Sequence, residues 1–225
     1  LLRSEYLFSF MNNVHEKSYK QLNIFFREYI LRTNNLNGSI LASVFLRNNT
    51  IFNTLPAPYV RTKNNKKFSL VLDLDETLVH YFEDENESYV KVRLGTEHFI
   101  KELSKYCEIC IFTASTKYYA DIVIDGLEYN NLIDFRLYRQ HTTMEKGINI
   151  KDLSKLGRNL EKIIIVDNIE ENYQLQPNNG INISDFEGDE NDNELKYLLE
   201  DLLEIVSVPG KNVINELPKV RSNMQ

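Results

Sequence analysis

The sequence predicts a Rossmann-like α/β fold in which a parallel β-sheet carries helices on both faces. Short aliphatic segments alternate with amphipathic segments from Lys66 onward, and this alternation is typical of a parallel sheet with crossover helices. The aliphatic segments are apolar at successive positions, which indicates strands buried on both faces. We therefore divide the chain into a helical N-terminal extension (residues 1–60), an α/β domain (66–208) and a C-terminal tail (209–225).

The N-terminal extension carries apolar side chains at helical spacing, which predicts one or two amphipathic helices. The helical pattern ends at an Asn-rich turn around Gly38, and Pro56 and Pro58 then mark a linker. Such an extension either packs on the α/β domain or offers a docking surface to a protein partner. The sequence leaves both interpretations open.

Four segments have the length and composition of strands in the main sheet, and a fifth belongs to a short β insert. The main strands are predicted at residues 68–72, 108–113, 162–167 and 181–184. The insert covers residues 81–94, with its strand at 89–92 and an acidic tip at 83–87.

Amphipathic periodicity predicts four helices in the α/β domain. They are expected at residues 97–106, 116–127, 151–160 and 193–206. Asp192 or Asn191 is expected to cap the last of them. Gly180 ends a turn and is free to adopt a positive φ angle. The tail has little apolar periodicity and is predicted to be extended.

Composition excludes several classes of function. A formal net charge of -7 argues against a nucleic-acid surface of clustered Lys and Arg, and no apolar stretch approaches the roughly 18 residues of a membrane span. Two cysteines exclude a disulfide framework and fit a reducing compartment. Cys107 and Cys110 lie three positions apart in a predicted strand, so their thiols point to opposite faces and cannot share a metal. The sequence begins at Leu1 rather than Met, which leaves a targeting peptide open.

Polar side chains follow three of the predicted strands at the point where each strand ends. They are, in chain order, Asp73, Asp75 and Thr77, then Thr113 and Ser115, then Asp167 and Asn168. The carboxyl ends of parallel strands form the ligand-binding edge of such a sheet, so these acids, hydroxyls and amide are expected to converge. Adjacent carboxylates such as Asp73 and Asp75 cannot both ionise cheaply without a cation. All-oxygen ligands favour Mg²⁺, and the sequence therefore predicts a magnesium site here.

Four segments resemble, in the right order, the motifs of the haloacid dehalogenase superfamily. The motifs resemble the form found in the small phosphatases of the RNA polymerase II C-terminal domain and in NLI-interacting-factor-like (Dullard-like) proteins. The first segment is Asp-Leu-Asp-Glu-Thr-Leu-Val-His at 73–80, and the second is Ile-Phe-Thr-Ala-Ser at 111–115. Lys-Asp-Leu-Ser-Lys-Leu-Gly-Arg at 151–158 resembles the stretch with the family's essential lysine, and Ile-Ile-Val-Asp-Asn at 164–168 resembles its metal motif.

This resemblance implies a Mg²⁺-dependent protein serine/threonine phosphatase with an aspartyl-phosphate intermediate. The first Asp of the family motif attacks phosphorus, which makes Asp73 the implied nucleophile and a metal ligand. Asp75 is implied as the general acid and base, and as a metal ligand through its backbone carbonyl. Thr113 and Lys151 are implied to hold the phosphoryl oxygens.

The remaining metal ligands implied by the resemblance are Asn168 and Asp167, the latter either touching the metal or lying one layer behind it. Four substrate-binding residues are also implied, namely Thr77, Ser115, Tyr119 and Arg139. Ser115 has a plainer interpretation, because it stands where a helix N-cap would. His80 and His98 are expected to be structural, and His141 is left undecided.

The β insert departs from the family pattern. Polymerase-tail phosphatases carry a longer insert with an apolar pocket that reads a proline near the phosphoserine, whereas this insert is short and its tip is acidic. Thr116 also stands where an apolar residue would line that pocket. These differences argue against the polymerase tail as substrate. We hypothesise that the acidic tip favours substrates with basic residues beside the phosphorylated one.

Two other functions stay open beside the expected phosphoprotein phosphatase. One is a catalytically idle family member that acts as a binding scaffold or complex subunit, for example in mitochondrial protein import, with residues 1–60 as the partner contact. The other is a phosphatase of small metabolites, but such enzymes usually carry a large cap that the insert is too short to form. The compartment is correspondingly open: nuclear or cytoplasmic is favoured, and mitochondrial is the alternative.

Overall fold

The computed structural model describes residues 56–61, 65–83, 88–208 and 210–223. The helices predicted in the N-terminal extension and most of the acidic tip, at 84–87, lie outside the described residues. The strands within the described ranges are β1 (Phe68–Leu72), β2 (Val79–Glu83), β3 (Ser88–Val92), β4 (Cys107–Phe112), β5 (Phe135–Leu137), β6 (Thr143–Glu145), β7 (Ile148–Ile150), β8 (Ile163–Asp167) and β9 (Gly180–Asn182). The α-helices there are α1 (Thr96–Leu103), α2 (Lys117–Asp125), α3 (Glu194–Val206) and α4 (Val213–Asn223).

Five of these strands form one parallel sheet in the order β5-β4-β1-β8-β9. The central strand β1 pairs with β4 on one side and β8 on the other, and Leu72 at its end lies beside Ile111 and Val166. The chain therefore leaves three adjacent strands at the same edge of the sheet. This arrangement confirms the predicted fold class, and the three central strands begin and end within one residue of their predicted bounds.

Alternate residues of the central strands point to opposite faces of the sheet. Leu70 and Leu72 belong to a large core that includes buried residues of all four described α-helices. Val71 belongs to a smaller core on the other face, where it packs with Leu153 and Leu156 of a 3-10 helix. Burial on both faces is the reason that these strands are apolar at most positions, with Ser69 and Glu108 as buried polar exceptions.

The two cysteines of β4 lie in different cores, as their spacing predicts. Cys107 belongs to the large core and Cys110 to the small one, and both are buried free thiols. Burial raises the pKa of Cys107 to about 12, so this thiol stays protonated and unreactive. Separately, none of the described helices has the length and apolar content that a bilayer crossing requires.

The prediction of a helix at residues 151–160 is wrong. Two short 3-10 helices, Leu153–Leu156 and Leu160–Lys162, take its place. Gly157 ends the first of them with a φ angle of 78°, which is a left-handed conformation that favours glycine. A Cβ atom at Gly157 would also lie 2.5 Å from Pro58 Cβ. Over only ten residues, two successive 3-10 helices and one α-helix give nearly the same spacing of apolar residues, which is why the sequence pattern was misleading.

The prediction of an extended tail is also wrong, because the tail contains α4 with Pro218 inside it. Its buried residues Val213, Leu217 and Val220 face the large core, and three positions are too few to establish a period in sequence. The positive φ angle expected at Gly180 is wrong as well, since its φ is -95°. Glycine is needed there for space: a Cβ atom would lie 2.0 Å from the Tyr173 ring.

Arg93 fastens the β2–β3 hairpin, which is the predicted insert, to the loop after β9. The residue is 1% exposed, and its side chain donates to both carboxylate oxygens of Asp192 at 3.0 and 2.7 Å. The same guanidinium donates to the backbone carbonyls of Thr77 (3.1 Å) and Ser184 (3.0 Å). Arg93 thereby holds together two loops that lead into the candidate site.

Asp192 also contacts the backbone at the start of α3. Its carboxylate accepts a hydrogen bond from the Glu194 N–H at 3.1 Å. Arg93 and the first turn of α3 therefore share one carboxylate. The cap expected at Asp192 or Asn191 is wrong, however, because the N-cap of α3 is Asn193, whose side chain makes no capping bond.

Candidate active site

Asp73 is the first residue after β1 and is held at the edge of the sheet. Its backbone N–H donates to the Val166 carbonyl at 3.0 Å, which continues the pairing of β1 with β8 by one residue. The residue is 6% exposed. An aspartate buried at this depth requires a partner, because a carboxylate loses its hydration there.

That partner is the fully buried ammonium group of Lys151. Its Nζ lies 2.5 Å from Asp73 Oδ1 and 2.6 Å from Asp167 Oδ2. Lys151 follows β7 directly, and its backbone N–H donates to the Asn172 carbonyl at 2.6 Å. The structure thus brings the lysine of the third motif to the acids of the first and fourth. Two of the three ammonium protons are used by these carboxylates.

Asp167 ends β8 and is completely buried. Its Oδ1 accepts hydrogen bonds from Ile169 N at 2.9 Å and Asn172 Nδ2 at 3.1 Å, while its Oδ2 accepts from Lys151. Both carboxylate oxygens are therefore occupied by protein donors. This geometry places Asp167 behind Lys151, as the residue that orients the ammonium group.

The charges in this cluster do not balance. Burial raises the pKa of Asp73, Lys151 lowers it, and the neighbouring carboxylates of Asp167 and Asp75 raise it again, with a net upward shift. Burial lowers the pKa of Lys151, but Asp167 and Asp73 together raise it above its ordinary value. Lys151 is therefore charged, and one ammonium cannot neutralise two carboxylates. The excess negative charge favours either a proton or a cation at Asp73.

Asp75 lies two residues further along and is partly exposed. Ser115 Oγ donates to its Oδ2 at 2.6 Å, and the Tyr119 hydroxyl donates to its Oδ1 at 2.6 Å. Thr113 Oγ1 is 3.5 Å from the same Oδ2, a distance at the limit of a hydrogen bond. Next to Asp75, Glu76 has a φ angle of 56°, and this left-handed residue turns the chain sharply into β2.

Thr113 follows β4, and its buried side chain accepts a hydrogen bond from the Ser115 N–H at 2.9 Å. The N-cap interpretation of Ser115 is wrong. The N-cap of α2 is Thr116, whose side chain makes no capping bond, and the Ser115 hydroxyl turns towards Asp75 instead.

Thr77 and Asn168 face each other beside these acids. Thr77 Oγ1 donates to Asn168 Oδ1 at 3.2 Å, and Asn168 Nδ2 donates to Asp185 Oδ1 at 2.9 Å. Sequence analysis missed Asp185. Asp185 directly follows the fourth predicted strand, at 181–184. The same reasoning that found acids at the ends of the other strands would have found it.

Arg139 lies against the loop of the second motif. Its Nε donates to the Ala114 carbonyl at 2.6 Å, and its backbone N–H donates to the Ser115 carbonyl at 3.0 Å. Burial lowers the pKa of Arg139. His141 lies in the same 3-10 helix, where its Nδ1 accepts from the Tyr138 N–H at 3.0 Å and its ring meets Tyr59 edge-on at 5.1 Å. Both of these contacts of His141 are with the protein itself.

The residues present fit a magnesium ion of the kind that keeps most of its waters. Among the residues that the structure describes, no three His, Cys, Asp or Glu side chains are grouped as metal ligands. The oxygen donors that follow β1 and β8 include the Asp73 carboxylate, the backbone carbonyl of Asp75 and the Asn168 amide. Mg²⁺ typically takes one or two carboxylates and completes its shell with water and substrate phosphate, so this small donor set suits it.

Comparisons with known proteins agree with the motifs. The chain is 37% identical over 174 residues to CTD small phosphatase-like protein 2 of Dictyostelium discoideum, a match that covers 69% of this chain and 31% of that protein. It is 34% identical over 145 residues to the mitochondrial import inner membrane translocase subunit TIM50 of Candida glabrata, covering 64% of this chain and 29% of that protein. The chain thus spans about a third of the length of these two relatives.

Among solved structures, the chain is similar to Fcp1, an essential RNA polymerase II CTD phosphatase, with a TM-score of 0.47 and 19% identity over 70% of this chain and 61% of that one. A family model described as "NLI interacting factor-like phosphatase" matches residues 68–213. That match includes all four motifs and more than half of the chain, which therefore belongs to the family of NLI interacting factor-like phosphatases.

Proposed function

We propose that this chain is a Mg²⁺-dependent protein serine/threonine phosphatase that forms an aspartyl phosphate on Asp73. The observation that carries the proposal is the pairing of two unlike carboxyl groups at one sheet edge. Asp73 is buried beside the Lys151 ammonium, whereas Asp75 is partly exposed and held by hydroxyl groups. Such a pair divides the work between a nucleophile and an acid–base group.

In the first step, an Asp73 carboxylate oxygen attacks phosphorus and the bond from phosphorus to the serine or threonine oxygen breaks. The carboxyl of Asp75 gives its proton to that departing oxygen. In the second step, water attacks phosphorus, Asp75 takes the proton of the water, and the bond to Asp73 breaks to release phosphate. The group that gives the proton in one step thus recovers it in the next.

Lys151 and Thr113 would hold the phosphoryl group. Lys151 has one ammonium proton left after its bonds to Asp73 and Asp167, and Thr113 lies on the same edge of the sheet. Asp73, Asn168 and the Asp75 carbonyl would hold Mg²⁺, which supplies positive charge to the phosphoryl oxygens as charge develops. Asp185 would keep the oxygen of the Asn168 amide turned towards the site.

A phosphorylated protein is the proposed substrate because Asp75 is partly exposed and the insert after the first motif is short. The insert that follows the first motif is a two-stranded hairpin, and small-molecule phosphatases of this fold usually need a larger cap. The similarity to a TIM50 subunit favours the second candidate, a scaffold in a protein complex. A scaffold has no need of the complete set of Asp73, Asp75, Thr113 and Lys151, and we therefore place it second.

The decisive experiment is phosphate release from p-nitrophenyl phosphate and from a phosphoserine peptide. Wild type, Asp73→Asn and Asp125→Asn are each assayed with Mg²⁺ and with a chelator. Asp125 offers the same chemical change at an exposed residue of α2. Asp73→Asn should lower kcat by about 10³-fold or more, as loss of a nucleophile does, and Asp125→Asn should leave it unchanged. Inactivity of the folded, Mg²⁺-supplied wild type would favour the scaffold.

A further inference from the structure

Asp75 is held by two hydroxyl groups from one short segment of chain. Ser115, just before α2, bonds Oδ2, and Tyr119, in the first turn of α2, bonds Oδ1, each at 2.6 Å. The two donors are four residues apart and grip opposite oxygens of the same carboxyl. A carboxyl held by both oxygens cannot rotate about its last side-chain bond without breaking one of the contacts.

The two hydroxyl groups are themselves held in place. Ser115 is 4% exposed, and its backbone N–H is fixed by Thr113 Oγ1 at 2.9 Å. The Tyr119 ring packs edge-on against Tyr81 of β2, with 6.2 Å between ring centroids. The carboxyl of Asp75 is therefore oriented by the loop of the second motif on one side and by the hairpin on the other.

The two contacts leave part of the Asp75 carboxyl group for a substrate atom. A carboxylate has about four lone-pair positions, and the two short hydrogen bonds occupy one on each oxygen. Both contacts therefore fix the direction of the carboxyl group without covering it.

We propose that Ser115 and Tyr119 are positioning residues for Asp75, which aim its carboxyl at the leaving oxygen of the substrate. This rests on the proposed phosphatase function and revises the roles that the sequence predicts, where both residues bind substrate. The hydroxyl of Tyr119 is committed to Asp75 rather than directed at a peptide. Correct aim matters in the first step, when the bond from phosphorus to the leaving oxygen breaks and that oxygen takes the proton of Asp75.

The test is a series of substituted phenyl phosphates, for which kcat/KM is plotted against the pKa of the leaving phenol. These substrates carry no peptide, so a lost peptide contact cannot change their kcat/KM. With p-nitrophenol, the phenolate leaves without a proton and Asp75 contributes little. With phenol or alkyl-substituted phenols, proton donation becomes important. The slope of the plot therefore reports how well Asp75 delivers its proton.

Tyr119→Phe and Ser115→Ala should steepen the slope. We expect kcat/KM for p-nitrophenyl phosphate to change by less than about 3-fold, and kcat/KM for the poorest leaving group to fall by roughly 10-fold or more, since small misplacements of a reacting group have effects of this size. Ser115→Thr, which keeps the hydroxyl, should retain the wild-type slope. Tyr118→Phe removes a hydroxyl from the neighbouring, 45% exposed tyrosine of α2 and should also leave the slope unchanged.

Equal losses for all phenols, or a wild-type slope in both Tyr119→Phe and Ser115→Ala, would overturn the positioning role. Loss confined to KM for phosphopeptides would instead assign the two residues to substrate binding. A failure of the proposed function itself looks different: wild type would then release phosphate from none of the phenyl phosphates, or Asp73→Asn would match it.

Discussion

At the scale of single residues, Lys151 is a buried cation that contacts two carboxyl groups. It has no exposed surface and lies between Asp73 and Asp167 at 2.5 and 2.6 Å. A buried ion pair is costly to form, but removing one partner leaves an uncompensated charge that is costlier still. In this cluster, removing the ammonium would leave the buried carboxyl groups of Asp73 and Asp167 without their cation.

Lys151→Met should accordingly lower the free energy of unfolding by about 3–5 kcal/mol in the absence of Mg²⁺. Urea denaturation followed by circular dichroism measures this loss. Lys155→Met is the matched control, because Lys155 stands four residues away with a side chain that is 34% exposed. We expect the control to cost less than about 1 kcal/mol. A Lys151 variant as stable as the control would show that the cluster is not charged in the way described.

If Mg²⁺ binds at Asp73, as proposed above, its binding should depend on pH. Burial and the neighbouring acids raise its pKa, so the metal-free folded protein keeps a proton on Asp73 at pH values where an ordinary aspartate has lost it. Mg²⁺ must displace that proton. The affinity for Mg²⁺ should therefore rise as pH rises and fall as pH falls.

Isothermal titration of wild type with Mg²⁺ checks this in two buffers of different ionisation enthalpy. The apparent binding enthalpy should differ between the buffers, because protons are released to them, and the difference should shrink at higher pH. In Asp73→Asn, any residual binding should release no proton from this position. An affinity and enthalpy independent of pH and buffer would contradict the raised pKa.

At the scale of elements, the β2–β3 hairpin is joined to the loop before α3 by two ion pairs of different quality. Arg93 and Asp192 form a bidentate pair with side chains 0% and 10% exposed, whereas Lys91 and Glu190 form a single contact with side chains 33% and 82% exposed. Arg93 also donates to the Thr77 carbonyl. The hairpin is therefore fastened to the site mainly through the guanidinium group.

Arg93→Lys should lower the free energy of unfolding by about 2–4 kcal/mol, since lysine keeps the charge but cannot serve Asp192, Thr77 and Ser184 together. Lys91→Met should cost less than about 1 kcal/mol, as exposed ion pairs usually do. Denaturation curves of the two variants provide the comparison. Equal losses would mean that burial and bidentate geometry do not distinguish these pairs.

At the scale of the whole molecule, the segment before β1 is part of the α/β domain. Val60 is buried in the small core, and the backbone N–H groups of Tyr59 and Val60 donate to the carbonyls of Lys155 (2.8 Å) and Leu156 (3.3 Å). Arg158 donates to the Val60 carbonyl at 3.3 Å. The predicted division, with an extension that ends at residue 60 and a domain that starts at residue 66, would cut through these contacts.

A chain that starts at Lys66 should therefore unfold more easily than one that starts at Pro56. We expect a difference of about 1–3 kcal/mol, the usual value for burying one valine together with its backbone hydrogen bonds. Thermal unfolding of the two truncated chains measures it, and the variant Val60→Ala in the longer chain isolates the side-chain part. Identical unfolding temperatures would place the boundary after residue 60.

The strands at the centre of the sheet and the acids at their ends could be predicted because the pattern of consecutive residues alone specifies them. A run such as Phe68–Leu72, which is apolar at every position but Ser69, indicates a strand with both faces buried, and Asp73 follows where that strand ends. Apart from α4, the elements that were missed are short or irregular. β5 has three residues, and the region after Lys151 depends on a left-handed Gly157 packed on Pro58.

The sequence by itself determined the fold class, the order of the motifs and the identity of the acids, hydroxyls and lysine, because each follows from neighbouring residues. Only the tertiary structure decided how they are paired. Ser115 is 40 residues from Asp75 along the chain and Lys151 is 78 from Asp73. Hydrogen bonds act over about 3 Å, so the roles of Ser115, Tyr119 and Asp167 depend on distances in space that spacing along the chain does not contain.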